Sequence, residues 1–200
     1  MIERDETDQL LREAAYNEFL EKGYRAASMR NICARANMTT GAMYTRYKNK
    51  DELFVSLFEN VTEGVDRLFY TLRPAYYRAA EEGIDDFIDV IDMETSAITA
   101  LIYKQFDLFR LLLLHSEGSS MEGYFDRLVQ RKIDETMDFF KAVSKTPIDE
   151  KSITLIMSGQ FQLYRTMIGQ NYTRKEAMKA VKYMNAFNHA GFRRIMEEGV

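Results

Sequence analysis

Cysteine, proline and long apolar runs are all scarce in this sequence, and each shortage removes a class of protein. The one cysteine, Cys33, can form no internal disulfide, so a disulfide-stapled scaffold is excluded and a reducing, cytoplasmic setting is expected. Two prolines and ten glycines in 200 residues leave room for long helices and argue against an all-β sandwich. No apolar stretch approaches the roughly 18–20 residues of a membrane span; the best, Leu111–Leu114, stops at His115. The first twenty residues are mostly polar and charged, unlike a secretory leader. Histidine is rare too, and His115 and His189 with Cys33 offer no metal-ligand spacing. His115, Ser116 and Glu117 are consecutive, and chain neighbours cannot converge as a catalytic triad. No glycine-rich phosphate loop follows a strand. No catalytic residue, metal or cofactor is therefore expected, and the chain does not read as an enzyme.

Acidic residues are missing from one stretch in particular. Between Lys22 and Lys50 there are seven Lys or Arg and no Asp or Glu, although the chain carries 31 acids against 27 bases. The other 20 bases share the rest of the chain with all 31 acids, a balance of −11 against +7 inside the window. Such polarisation suggests one small face that meets a polyanion, on a larger body that does not.

Helix signals run from end to end. A first helix begins near Asp5–Thr7, places Leu10, Leu11, Ala14, Ala15 and Phe19 inside, and stops at Gly23. Ser28 caps a second, in which Met29, Ile32, Cys33 and Ala36 share a face. Asn37 follows, a residue that tolerates a left-handed turn. Thr39 caps a short third helix with Met43 and Tyr47 on one side. Asn49 and Glu52 have capping-box spacing for a fourth, running through Leu53, Leu57, Val61, Val65, Leu68 and Leu72 towards Pro74. Further helices are expected over about 84–103 and 104–115. Three more follow: one opened by Ser119 and Glu122, one by Asp149, and one by Thr173 and Glu176. No strand-period alternation bounded by hairpin turns occurs. The fold class is all-α.

A helix-turn-helix places its second helix in the major groove while the first braces the backbone. Thr39, Thr40, Gly41, Ala42 and Thr45 are small enough for close approach, while Tyr44 and Arg46 can reach phosphates or base edges. Lys50, in the first turn of the next helix, can add its charge to exposed backbone N–H groups as a phosphate clamp. From Ser28-Met29-Arg30-Asn31-Ile32-Cys33 to Met43-Tyr44-Thr45-Arg46-Tyr47-Lys48-Asn49-Lys50-Asp51-Glu52-Leu53 the chain resembles the N-terminal signature of TetR-family transcriptional regulators. Ala14, Phe19 and Gly23-Tyr24 extend the resemblance over about residues 7–58. It implies an N-terminal three-helix helix-turn-helix DNA-binding domain (1–50) and a C-terminal helical ligand-binding and dimerisation domain (51–200). It puts Ser28, Arg30, Thr39, Thr40, Gly41, Tyr44, Thr45, Arg46 and Lys50 at or near DNA. Two residues depart from the family pattern: Asn37 replaces a Gly, and Arg46 replaces a His or aromatic.

The partners implied are a double-stranded DNA operator, a second copy of the chain and a small-molecule effector, with no membrane. Ile153, Met157, Phe161, Tyr164 and Ile168, then Ala177, Val181, Met184, Phe187 and Ile195, form stripes on the last two helices. These serve the chain's own core in part, and the resemblance adds a two-fold four-helix interface with Gly159 and Gly191 allowing close approach. A symmetric dimer reads half-sites about one turn, or roughly 34–36 Å, apart. Aromatic and methionine side chains of the middle helices offer an adaptable apolar cavity. Candidate effector contacts are Tyr103, Phe106, Phe109, Phe125, Met157, Phe161 and Tyr164. Glu94 joins them as an acid in the apolar stripe Phe87, Ile91, Ile98, Ile102, where a buried carboxylate needs an internal Lys or Arg or a ligand. The functional reading is a ligand-responsive repressor. The alternative is a protein of the same fold that binds a ligand or another protein and no longer DNA.

Overall fold

The computed structural model describes residues 2–198, the side chains of residues 2–5 and 143 excepted. Ten helices and no strand occur among the described residues, in agreement with an all-α chain. They gather into two compact units, one made of residues up to Glu63 with Phe106–Tyr124, the other of Gly64–Gln105 with the residues from Phe125 onward.

In the first unit, α1 (Ile2–Ala26) is broken at the expected glycine: Gly23 has φ 72° and ψ 168°, a conformation that strains any residue with a Cβ. The break lets the Tyr24 N–H donate to the His115 carbonyl at 2.8 Å, just past α7 (Phe106–Leu114). Leu11, Ala15 and Phe19, at i, i+4 and i+8, are fully buried. Leu10, expected inside, is exposed because it lies about 100° round the helix from that stripe. Phe54 of α4 (Lys50–Ser56) is the centre of an aromatic cluster, 4.8 Å from the rings of Phe19 and Tyr24 and 4.9 Å from Phe58.

The expected fourth helix is two. A turn at Leu57 and Phe58 ends α4, and α5 (Glu59–Glu82) runs straight through Pro74. An interior proline costs a helix about 3 kcal/mol. Here Leu72, Tyr76 and Ala79 are buried on one face across it, and each large side chain so buried contributes about 1.5–3 kcal/mol. Tertiary burial therefore outweighs the proline.

The second unit contains most of α5, then α6 (Ile84–Lys104), α8 (Tyr124–Val143), α9 (Glu150–Gly169) and α10 (Arg174–Glu198). The Ser119/Glu122 pair does not open α8, which begins at Tyr124: the Glu122 carboxylate instead accepts from the Gly118 N–H at 2.8 Å and closes a turn. Asp149 caps α9, and Thr173 with Glu176 forms a reciprocal capping box on α10. Phe140 lies 5.3 Å from Phe87 and 5.0 Å from Phe192, tying α8 to α6 and α10. Most of the α9 and α10 stripes are used in this core: Ile153, Met157, Tyr164, Ile168, Ala177 and Val181 are buried, while Phe187 is 79% exposed.

Candidate functional site

The helix-turn-helix is α2 (Met29–Arg35), a turn, and α3 (Thr40–Tyr44). The turn depends on Asn37, whose φ of 52° is left-handed, and on the Met38 N–H reaching back to the Cys33 carbonyl at 2.8 Å. The Thr39 hydroxyl accepts from the Ala42 N–H at 3.2 Å and caps α3. Met43 is buried with its sulfur 3.4 Å from that of Cys33, and burial raises the Cys33 thiol pKa. The Tyr47 hydroxyl is anchored to Asp8 at 3.0 Å. With that side fixed, Thr39, Thr40, Gly41, Tyr44 and Thr45 are left exposed together, with Arg46 at their edge. Ser28 occupies the N-cap position of α2, but its hydroxyl makes no cap bond.

The cations sort themselves differently from the sequence map. Lys22 pairs with Glu18 at 3.0 Å, Arg35 with Glu21 at 2.5 Å and Glu18 at 3.3 Å, and Arg25 with Glu117 at 2.8 Å. Lys50 faces inward: its ammonium donates to the carbonyls of Tyr24 (2.8 Å), Ala27 (3.2 Å) and Arg25 (3.3 Å) and lies 4.4 Å from the Tyr24 ring centre. It ties down the end of α1, where a cation also suits the helix dipole. Arg30, Arg46 and Lys48 alone in the basic window have neither an acidic partner among the described residues nor such a backbone clamp. Arg46 keeps one bond, to the Ala42 carbonyl at 3.1 Å. Replacing Lys50 with Met is therefore expected to lower stability by about 2 kcal/mol, the scale of hydrogen bonds from a charged group. Chemical denaturation checks this; unchanged stability with a weaker salt dependence of DNA binding would restore Lys50 to the phosphates.

Two residues at the candidate site were not singled out from the sequence. Lys48 was readable as a cation just past α3. Glu18 carries the same signal as Glu94, an acid on an apolar helical face, and is wholly buried. One of its oxygens accepts from Lys22 (3.0 Å), Asn31 (3.1 Å) and the Ser28 N–H (3.2 Å), so it fixes the start of α2.

In the second unit Glu94 has its internal partner. Lys132 Nζ and the Tyr76 hydroxyl both lie 2.6 Å from Glu94 Oε2, and the Glu94 and Lys132 side chains are only 6% and 7% exposed. Burial, then the Glu94 charge and hydrogen bond, raise the Tyr76 pKa well above its ordinary value, so Tyr76 remains a donor. Glu94, Met157, Phe161 and Tyr164 line one small cavity of about 50 Å³. Burial is the main reason the Tyr164 pKa is pushed up to about 12. Gln160 Nε2, buried without an acceptor, lines the same cavity. The other candidates lie elsewhere. Tyr103 donates to the Tyr172 carbonyl at 2.8 Å, Phe125 stacks under Arg165, and Phe106 and Phe109 belong to the first unit. On the outer side of α9 and α10, Leu155, Tyr183 and Phe187 are exposed, and a Cβ added at Gly159 or Gly191 would meet nothing within 4 Å. Among the described residues no group of His, Cys, Asp and Glu could hold a metal, and no helix is long and apolar enough to cross a membrane.

Residues 11–57 match the family described as bacterial regulatory proteins, tetR family. YhgD, an uncharacterized HTH-type transcriptional regulator of Bacillus subtilis, is 30% identical over 94 residues, 47% of this chain and 44% of that protein. The HTH-type transcriptional activator FasR of Mycolicibacterium smegmatis is 32% identical over 94 residues, 44% of this chain and 43% of FasR. The chain thus matches less than half the length of each of these curated relatives. A TetR-like regulator from Rhodococcus sp. RHA1 superposes with a TM-score of 0.64 at 17% identity, over 92% of this chain and 96% of that one. NalD of Pseudomonas aeruginosa, a secondary repressor of a multidrug efflux pump, does so with a TM-score of 0.56 at 17% identity, over 98% and 96%. Residues 11–57, which include α2, the turn and the exposed α3, thus form a helix-turn-helix domain that matches bacterial regulatory proteins of the tetR family.

Proposed function

We propose that this protein is a cytoplasmic, ligand-responsive repressor that binds a near-palindromic operator as a homodimer and leaves it when a small molecule binds. The observation that carries the reading is the exposed face Thr39, Thr40, Gly41, Tyr44 and Thr45 beside three cations that no described acid neutralises, Arg30, Arg46 and Lys48. Small side chains let backbone and duplex approach, and the cations exchange counterions for phosphates. Residues 1–50 read DNA; residues 51–200 hold the effector and the second subunit. The dimer is assigned to the outer face of α9 and α10, where Leu155, Tyr183 and Phe187 are exposed beside two glycines open to close approach. The effector is assigned to the cavity beside Glu94. It must prefer the state that does not bind DNA, because equal affinity for both states shifts nothing.

The test is the affinity for a palindromic site near the protein's own gene, measured as a function of salt. A steep negative slope of log K on log salt, with two chains per site, is the expected result. Arg46→Ala and Lys48→Ala should each weaken binding and flatten the slope by about 1, with secondary structure unchanged. Absence of binding at low salt would overturn the DNA-binding reading in favour of a ligand- or protein-binding relative.

A further inference from the structure

An open groove of about 450 Å³ runs between α5 and α8 in the second unit, lined by no described residue of α9 or α10. Tyr70 and Tyr77 on its α5 side are 78% and 57% exposed, two large rings left in water. The two walls carry opposite charges. On the α5 wall Asp66 is paired with Arg131 at 3.0 Å, which leaves Arg73 with the Tyr77 ring, 5.9 Å from its guanidinium. On the α8 wall Arg131 and Lys132 are paired with Asp66 and Glu94, which leaves Glu135 and Asp138, both exposed. Arg73, Glu135 and Asp138 have no ion-pair partner among the described residues, and no ion pair joins them across the groove.

We propose that this groove is a second self-association face, on which another copy of the chain docks with its own groove. An occupant has to offer an acid to the α5 wall and a base to the α8 wall. A purely cationic or purely anionic partner satisfies one wall only, whereas a second groove carries both charges. Symmetry fixes how two copies meet. Asp66 contacts Arg131 and, further along both helices, the Tyr77 ring lies 5.7 Å from that of Phe139, so α5 and α8 point the same way. A two-fold axis along the groove therefore lays α5 of each copy on α8 of the other without reversing either. Arg73 and Glu135 each stand four residues before the Tyr77–Phe139 contact, so they arrive level, with Asp138 three residues beyond. Tyr70 and Tyr77 of both copies then share the groove and leave water. An axis across the groove would instead set α5 on α5, cation against cation. The face shares no residue with the outer side of α9 and α10, so it adds to the homodimer assigned there and pairs two such dimers.

The experiment is sedimentation velocity of the full chain without DNA, across about 1 μM to 1 mM. The wild type should double its mass with concentration, from two chains to four, and raised salt should reverse the doubling. Arg73→Glu makes the α5 wall acidic like the α8 wall; Glu135→Arg/Asp138→Arg makes the α8 wall basic like the α5 wall. All three positions are exposed, so both variants should keep their helix content while the doubling weakens about tenfold or more. An equal mixture of the two variants should regain it, because each acidic wall then finds a basic one. A mixture that stays undoubled, or single variants that double like the wild type, would overturn the proposal. So would a wild type of constant mass over the whole range. Failure of the repressor reading looks different: absent operator binding removes that reading and leaves this one, and doubling from one chain to two removes only the α9 and α10 assignment.

Discussion

Glu18→Ala should destabilise the first unit by about 3 kcal/mol and, if the proposed function holds, reduce DNA binding in step with the loss of folded protein. Removing one partner of a buried ionic network costs roughly 3–5 kcal/mol because the groups left behind lose their compensation. The lower end applies here, since Lys22 and Arg35 are 39% and 38% exposed and reach water once freed. The Ser28 N–H and the Asn31 amide also lose their acceptor, and both belong to the start of α2. The network has a pH signature. Burial works to raise the Glu18 pKa, but hydrogen bonds from Lys22, Ser28 and Asn31 and the Lys22 charge outweigh it and leave the pKa lowered. A lowered carboxylate pKa contributes stability that is complete above the unfolded value of about 4.3 and is lost as pH falls through the folded value. Wild-type stability should therefore decline with acid below the ordinary glutamate range, and Glu18→Gln should show less of that decline. A Glu18→Gln variant with the wild-type acid profile would mean that other carboxylates govern it.

Lys132→Ala should cost the second unit about 3–5 kcal/mol, because it strands the Glu94 carboxylate in the interior. The Tyr76 hydroxyl remains as a donor at 2.6 Å but carries no charge to balance it. The pair as a whole is worth far less than either half alone suggests, since desolvation offsets its Coulombic attraction. Denaturant unfolding of Lys132→Ala, Glu94→Gln and the Glu94→Gln/Lys132→Met double variant separates the two quantities. The single change at Lys132 should be severe and the double variant close to wild type. Equal losses in all three would mean that packing, not charge, holds α5, α6 and α8 together at this point.

The two acids teach the same lesson about legibility. Both interrupt an apolar helical face, which is a pattern in the chain, and at Glu94 the pattern predicted an internal partner. Which partner could not be read, because Lys132 is 38 positions away and looks like any other lysine on a charged helix. The basic window erred in the opposite direction. Its freedom from acids is true along the chain, yet Glu18, Glu21 and Glu117 return to it in space and neutralise Lys22, Arg35 and Arg25. Lys50 was read as a phosphate clamp, although its ammonium is held by three carbonyls near the end of α1. The α9 and α10 stripes were read as shared between core and partner, and the structure buries most of them while turning Phe187 outward.

By itself the sequence determined the helical class, the caps at Thr39, Asn49, Asp149 and Thr173, the breaks at Gly23 and Asn37, and the family of the N-terminal domain. These depend on side chains reaching backbone groups within a few residues, and on apolar spacing within one helix. Tertiary structure alone decided the split of α4 from α5, the passage of α5 through Pro74, the pairing of Glu94 with Lys132 and Tyr76, and which cations of the basic window have acidic partners among the described residues. Each of those is settled by burial and charge between segments far apart in the chain, where local propensity is too weak to choose.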